Sequence, residues 1–228
     1  LGFDCVMPLF SVCHEASAMG CKVNWGGVDM MPESGKPIFN DLDDIVIPDN
    51  LLLMPACAVP LKAITLLKKR LGNDAAVCGK VFGSWTNAYH FFGIENFLIM
   101  TVDQPEKVRQ ILKKLLPITI RFAMAQVDAG ADCIVLCDHA TRDLCSPETY
   151  RVFLAELHDR IAATIPVPTI LHICGDTSDR VGMIAKTRIS CFHWDTRSGS
   201  PTKIRNFAGD HLALIGGINN MLLLQGNL

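Results

Sequence analysis

Six short apolar runs, each bounded by turn residues and separated by longer stretches of helical period, constrain this chain more than any other feature. They cover residues 5–10, 76–82, 133–138, 169–174, 190–194 and 212–217. Most are too short for a helix and read as strands. Strands alternating with helices predict βαβ units and a parallel sheet. No Gly-x-Gly-x-x-Gly follows any run, which removes the commonest reason to prefer an open, doubly wound sheet. The expectation is an α/β fold of the parallel (β/α)8 TIM type, with residues 1–228 as one domain. The chain opens at Leu1 without methionine and stops in mid-pattern at Gly226-Asn227-Leu228. It reads as a fragment, with an N-terminal segment and the last barrel strand lying outside it.

Helix ends are legible between the strands. Asp103 is a candidate cap for a helix opening with Pro105 and Glu106, whose apolar stripe is Val108, Ile111, Leu112 and Leu115. Pro117 is expected to kink or divide it, with a second segment over residues 118–130. Ser146-Pro147-Glu148 combines a cap, a proline at the first helical position and an acid in the first turn. Leu154, Leu157 and Ile161 form the stripe of that helix, and Pro166 ends it. Residues 25–50 are polar, rich in Pro, Gly and Asp, and without a strong period; they are expected to form a long excursion over the barrel mouth. No internal repeat or low-complexity tract divides the chain.

Composition narrows the function classes. Half the residues are apolar and the net charge is −2, enough for one sizeable core and with no basic footprint for nucleic acid or a membrane surface. No apolar stretch reaches the roughly 18 residues of a membrane span, and no export signal opens the chain. Of ten cysteines, Cys5, Cys78, Cys133, Cys137 and Cys191 lie in or beside the strand-like runs. Free cysteine behaves there as a small buried hydrophobe, so the reading is a reducing cytoplasm rather than a disulfide scaffold.

Three constellations could carry chemistry. In Thr169-Ile170-Leu171-His172-Ile173-Cys174-Gly175, a strand would point His172 and Cys174 to one face. They fall at the strand's C-terminal end, where barrel enzymes keep their active sites. Imidazole and thiolate together make half of a zinc site; a core histidine beside a buried cysteine would show the same spacing. Asp138 ends the strand 133–138 and is followed by His139. This pair is a candidate catalytic set, or an acid bracing a βα loop beside a histidine that satisfies a carbonyl. Asp195, closing Phe192-His193-Trp194-Asp195, could reach the metal of His172 and Cys174 or serve as a loop acid. Lys80, within 77–82, is the candidate for meeting an anionic cofactor or substrate group.

With these residues in view, the chain resembles the uroporphyrinogen decarboxylase superfamily, and within it the methylcobamide:coenzyme M methyltransferase branch. The resemblance is carried by Leu1-Gly2-Phe3-Asp4 through Glu15-Ala16 to Gly20, by Gly79-Lys80-Val81-Phe82-Gly83-Ser84-Trp85-Thr86 and by Gly130-Ala131-Asp132. It continues in Asp138-His139-Ala140-Thr141, Ser146-Pro147-Glu148 and Leu171-His172-Ile173-Cys174-Gly175. It implies a cobalamin-linked, zinc-dependent enzyme that moves a methyl group from a methylated corrinoid, carried on a partner protein, to a small thiol, with coenzyme M as the expected acceptor. His172 and Cys174 would be zinc ligands, with a third, cysteine ligand beyond residue 228. Asp195 would fill the open position of the metal at rest. True decarboxylases of the superfamily carry an Asp just after the first strand and lack the His-x-Cys pair; Ser11-Val12-Cys13 stands there instead. A decarboxylase-like enzyme, a methyltransferase with another acceptor and a non-catalytic corrinoid-binding barrel are the alternatives. Nothing in the sequence specifies an oligomeric state.

Overall fold

A computed structural model describes residues 2–8 and 11–226, with the side chains of residues 220 and 223 left out. The chain begins with β1 (Cys5–Val6), α1 (His14–Ala18) and a two-stranded hairpin of β2 (Val23–Asn24) and β3 (Glu33–Ser34). Next come α2 (Pro55–Leu71), β4 (Ala76–Phe82), α3 (Ser84–Phe92), α4 (Ile94–Asp103) and the long α5 (Pro105–Asp128). β5 (Cys133–Cys137), α6 (Pro147–Phe153), α7 (Ala155–Thr164) and β6 (Thr169–His172) follow. The chain closes with α8 (Val181–Ile184), β7 (Cys191–Trp194), α9 (Pro201–Ala208), β8 (Ala213–Gly216) and α10 (Asn220–Gln225).

The six parallel strands lie in the order β1-β4-β5-β6-β7-β8. An order that advances with the sequence and never reverses has no topological switch point, so it is the winding of a barrel rather than of a doubly wound sheet. All six expected runs supply a strand, each equal to or a residue or more shorter than its run; residues 9 and 10 of the first run lie outside the described residues. The shortening falls at the C-terminal end of β5 and β6, at the N-terminal end of β7 and at both ends of β8.

Register assigns the two faces. Phe82, Cys137, His172 and His193 are successive partners across β4 to β7, as are Lys80, Val135, Ile170 and Cys191. These point inward. The alternate residues Val81, Ile134, Leu136, Leu171 and Phe192 face the helices and are buried in the main core. Asp132, at the foot of β5, accepts from Lys68 Nζ at 2.7 Å and from Val77 N at 2.8 Å, tying α2 to the start of β4.

Two helix expectations need correction. Asp103 does not cap α5; it is the last residue of α4, and Gln104 precedes α5 without a side-chain cap. Tertiary packing outweighs the local signal here, because Phe97 and Met100 of α4 are buried and Phe97 packs edge-on against Trp85 at 5.1 Å. Pro117 does not divide α5, which runs unbroken for 24 residues. An internal proline costs about 3 kcal/mol. Leu115, Leu116 and Ile118 are all buried, at roughly 1.5–3 kcal/mol each, and hold both halves in line. Pro117 itself is exposed, so water can meet the carbonyl it leaves free.

Ser146 caps α6 as expected, accepting from Thr149 N at 3.0 Å. The helix that follows is interrupted at Leu154, but Leu154, Leu157 and Ile161 are buried as one stripe. Residues 25–50 do not stay over the mouth. Beyond the hairpin they run along the outside of α5, where Lys107 pairs with Asp41 at 3.2 Å, and Lys114 and Arg121 donate to the carbonyls of Leu42 and Asp49, each at 2.9 Å. Among the described residues, no helix is long and apolar enough to cross a membrane.

Candidate metal centre

The C-terminal end of β6 brings an imidazole and a thiol together beside the end of β7. His172 is the last residue of β6, and Cys174 follows two residues on, in phase with it. His172 Nε2 lies 3.0 Å from Cys174 Sγ, and Nδ1 lies 3.3 Å from the carbonyl oxygen of His193. A carbonyl can only accept, so Nδ1 carries the proton and the Nε2 lone pair faces Cys174. This is the tautomer a metal ligand needs, with the second nitrogen held by a backbone carbonyl.

Electrostatics agree. Burial, followed by the neighbouring His193, lowers the His172 pKa to about 4, so the ring is neutral and its lone pair available. The His193 ring lies 4.5 Å from it, centroid to centroid. Cys174 is exposed at the rim, but surrounding protein, and next Asp195, raise its thiol pKa. The charges of Arg197 and Lys80 oppose this rise without overcoming it.

The turn after Cys174 is pinned. Gly175 adopts φ +85°, and a Cβ there would meet Thr141 Oγ1 at 2.2 Å; only glycine serves. Its N–H donates to Asp195 Oδ2 at 3.0 Å and its carbonyl accepts from Ser198 Oγ at 3.1 Å. Asp195 also accepts from Arg197 N at 2.9 Å and from Arg197 Nη2 at 3.1 Å. Burial pushes the Asp195 carboxyl upward, but these hydrogen bonds outweigh it and hold the group at about 2. Asp195 therefore stands next to the pair as an anion engaged by Arg197 and the Gly175 backbone.

Asp138 is not brought to this point. Its side chain is 1% exposed and turned into a closed network. Oδ1 accepts from Thr86 N and Thr86 Oγ1 at 2.7 and 2.8 Å, and Oδ2 lies 3.0 Å from His158 Nε2. Thr86 N is in the first turn of α3, so the carboxylate caps that helix from across the rim. His158 Nδ1 continues to Tyr150 Oη at 2.9 Å. Gly83 makes room: a Cβ there would lie 2.1 Å from Asp138 Oδ2. His139, next in the chain, is exposed at the rim, its N–H donating to Thr86 Oγ1 at 2.7 Å and its pKa lowered chiefly by burial of the ring.

Lys80 lies on the inward face one step below the rim, its Nζ 3.5 Å from the Ser11 carbonyl and 4.9 Å from the Phe82 ring centre. Its charge lowers the pKa of both His172 and Cys174. His193 and Glu15 belong to this rim and were not singled out from the sequence. Alternation from Asp195 back to His193 and Cys191 would have pointed to the first. Glu15 sits in α1 with no pattern to mark it; it is 2% exposed, and Oε1 accepts from Phe82 N at 2.7 Å. Among the described residues, no group of three or more His, Cys, Asp or Glu side chains is arranged to hold a metal. His172 and Cys174 fit zinc as two donors of suitable chemistry converging on one point; their 3.0 Å separation is about half an ångström less than two ligands on one tetrahedral zinc would show.

The winding of the sheet and this rim define a parallel α/β barrel-type chain with an imidazole–thiol pair at its C-terminal face. The uroporphyrinogen decarboxylase (URO-D) family model matches residues 1–228, and the chain belongs to that family. It is 32% identical over 220 residues to a methylated-thiol–coenzyme M methyltransferase of Methanosarcina mazei, covering 96% of this chain and 59% of that protein. It is 28% identical over 225 residues to the methylcobamide:CoM methyltransferase MtaA of Methanosarcina barkeri, covering 98% of this chain and 66% of that one. A solved methyltransferase from Methanosarcina mazei superposes with a TM-score of 0.89 at 28% identity, covering 93% of this chain and 64% of its own. The chain thus spans about three-fifths to two-thirds of the length of these relatives.

Proposed function

We propose that this chain belongs to a cytoplasmic zinc-dependent methyltransferase that moves a methyl group from a methylated corrinoid, carried by a partner protein, to the thiol of coenzyme M. The observation that carries the reading is the His172 Nε2–Cys174 Sγ pair, in a metal-ready tautomer at the strand end where barrel enzymes work. The named activities of the relatives support the substrate class.

His172 and Cys174 would hold the zinc. A free thiol with pKa near about 8.5 is a poor nucleophile at neutral pH, and a bound zinc would supply it as thiolate. The chain's own residues prepare that site. The His193 carbonyl keeps the His172 lone pair turned outward, and the Gly175 turn holds Cys174 at its edge. Asp195 braces that turn through the Gly175 N–H, a role we favour over direct ligation because its oxygens already meet Arg197. Lys80 and Arg197 put two positive charges around the pair, which suits an acceptor that is anionic as thiolate and at its tail. His139 is the exposed imidazole of the same rim and the candidate proton carrier. Asp138 acts as the positioning group that fixes α3 and His139 through Thr86.

Metal analysis of the purified protein together with transfer from methylcobalamin to coenzyme M tests the reading. About one zinc per chain, lost together with thiol methylation in Cys174→Ala, is the expected result. Methyl transfer by metal-free protein, or decarboxylation of a porphyrinogen, would overturn it.

A further inference from the structure

A second thiol cluster lies on the inward face of the sheet, away from the rim. Cys78 and Cys133 are direct partners in the β4–β5 ladder, and their sulfurs are 3.2 Å apart although 55 residues separate them in sequence. Cys5 on the edge strand is exposed and its thiol hydrogen-bonds Cys78; Cys133 is only half-buried, so reagents can reach the pair. Neighbouring strands run about 4.8 Å apart, inside the roughly 4.4–6.8 Å of Cα separation that a disulfide spans. Closing the bond brings the two sulfurs from 3.2 Å to about 2.05 Å. Inertness of buried cysteine is the ordinary outcome, but it needs thiols that are isolated and apolar on all sides. Here the two sulfurs lie 3.2 Å apart, with the Cys5 thiol hydrogen-bonded to Cys78.

We propose that Cys78 and Cys133 form a redox pair that a hydroperoxide converts to an inter-strand disulfide, a modification site separate from His172 and Cys174. The Cys133 sulfur, as thiolate, attacks one peroxide oxygen. The O–O bond breaks, and the departing hydroxide takes up a proton and leaves as water. Cys133 is then a sulfenic acid. The Cys78 sulfur attacks it, the S–S bond forms, and the hydroxyl leaves as a second water with the Cys78 proton. Two thiols lose two electrons and two protons, and hydrogen peroxide becomes two waters. A dithiol returns the pair to the reduced state by exchange. Cys133 is the attacking member because it is the more accessible of the two, half-buried where Cys78 is buried.

The test is hydrogen peroxide treatment of the purified protein, alkylation of remaining thiols, and peptide mapping without reductant. One cross-link joining Cys78 to Cys133, with a mass loss of about 2 Da reversed by dithiothreitol, is expected. Cys78→Ser and Cys133→Ser should each abolish it, and Cys191→Ser should leave it. A cross-link through Cys5 or Cys174 in its place, or sulfinic acid on Cys133 with no cross-link, would overturn the assignment. The map of the unsubstituted protein decides between these outcomes even where a serine variant fails to fold.

Discussion

Two strand ends on one rim, β5 with Asp138 and β6 with His172 and Cys174, look alike in sequence and differ in what their polar groups lack. Asp138 has every oxygen engaged, by Thr86 twice and by His158, with its side chain 1% exposed. Cys174 is exposed, and among the described residues its sulfur's one hydrogen-bond partner is the unprotonated nitrogen of His172. A satisfied, buried carboxylate stabilises a fold; a neutral imidazole and a thiol with spare donor capacity can take a ligand. The difference lies in saturation, and residue type alone does not reveal it.

The largest expected effect comes from the unsaturated end. Cys174→Ala should remove zinc and thiol methylation completely while leaving the melting temperature nearly unchanged, since exposed substitutions away from such networks stay within about 0.5 kcal/mol. A large loss of stability without loss of metal would reverse the comparison.

At the saturated end the outcome inverts. Asp138→Ala strands Thr86 N and His158 Nε2 in the interior and should cost about 3 kcal/mol, or roughly 6–12 °C in thermal melting for a domain of this size. Denaturation by heat or urea measures it; a neutral result would mean the network does not brace the rim.

Glu15 sharpens the contrast, because it is a buried carboxyl held by two backbone N–H groups, that of Phe82 and its own. Burial pushes its pKa up to about 7, against 4.5 ordinarily, with the Phe82 hydrogen bond only partly offsetting this. A raised folded-state pKa means the stability it contributes is complete below about pH 4.5 and is lost as pH rises through about 7. The decline should be about 3 kcal/mol, and Glu15→Gln should flatten it in melting curves taken from pH 5 to pH 8. An unchanged slope would show that Glu15 is ionised throughout.

Asp195→Asn is the smallest test and the one that separates a brace from a ligand. Asparagine keeps an acceptor for the Gly175 N–H but weakens the hold of Arg197, so zinc affinity should fall about tenfold, as supporting residues of metal sites do. A loss as complete as that of Cys174→Ala, measured by competition with a chelator, would make Asp195 a ligand.

The fold was largely legible because its signals are local. Each of the six runs is short, apolar and bounded by turn residues, and the alternation with helices leaves few topologies. What misled was also local: Asp103 beside Pro105 imitates a helix start, and Pro117 imitates a helix end. Phe97 in one case, and Leu115 with Ile118 in the other, set the outcome through contacts that only the assembled core contains. At the rim, two-residue periodicity was sufficient for His172 with Cys174, because strand geometry alone puts them on one side. It was silent on Asp138, whose partners Thr86 and His158 come from 52 and 20 residues away.

By itself, then, the sequence determined the parallel strand–helix alternation, the placing of the chemistry at strand ends and the pairing of His172 with Cys174. These follow from apolar period and from the alternation of side chains along a strand. Tertiary structure alone decided which polar groups were left with capacity to spare. Saturation depends on partners that the assembled rim brings in: Thr86 and His158 close around Asp138, Arg197 and Gly175 engage Asp195, and the His193 carbonyl accepts from His172 and so turns its lone pair toward Cys174.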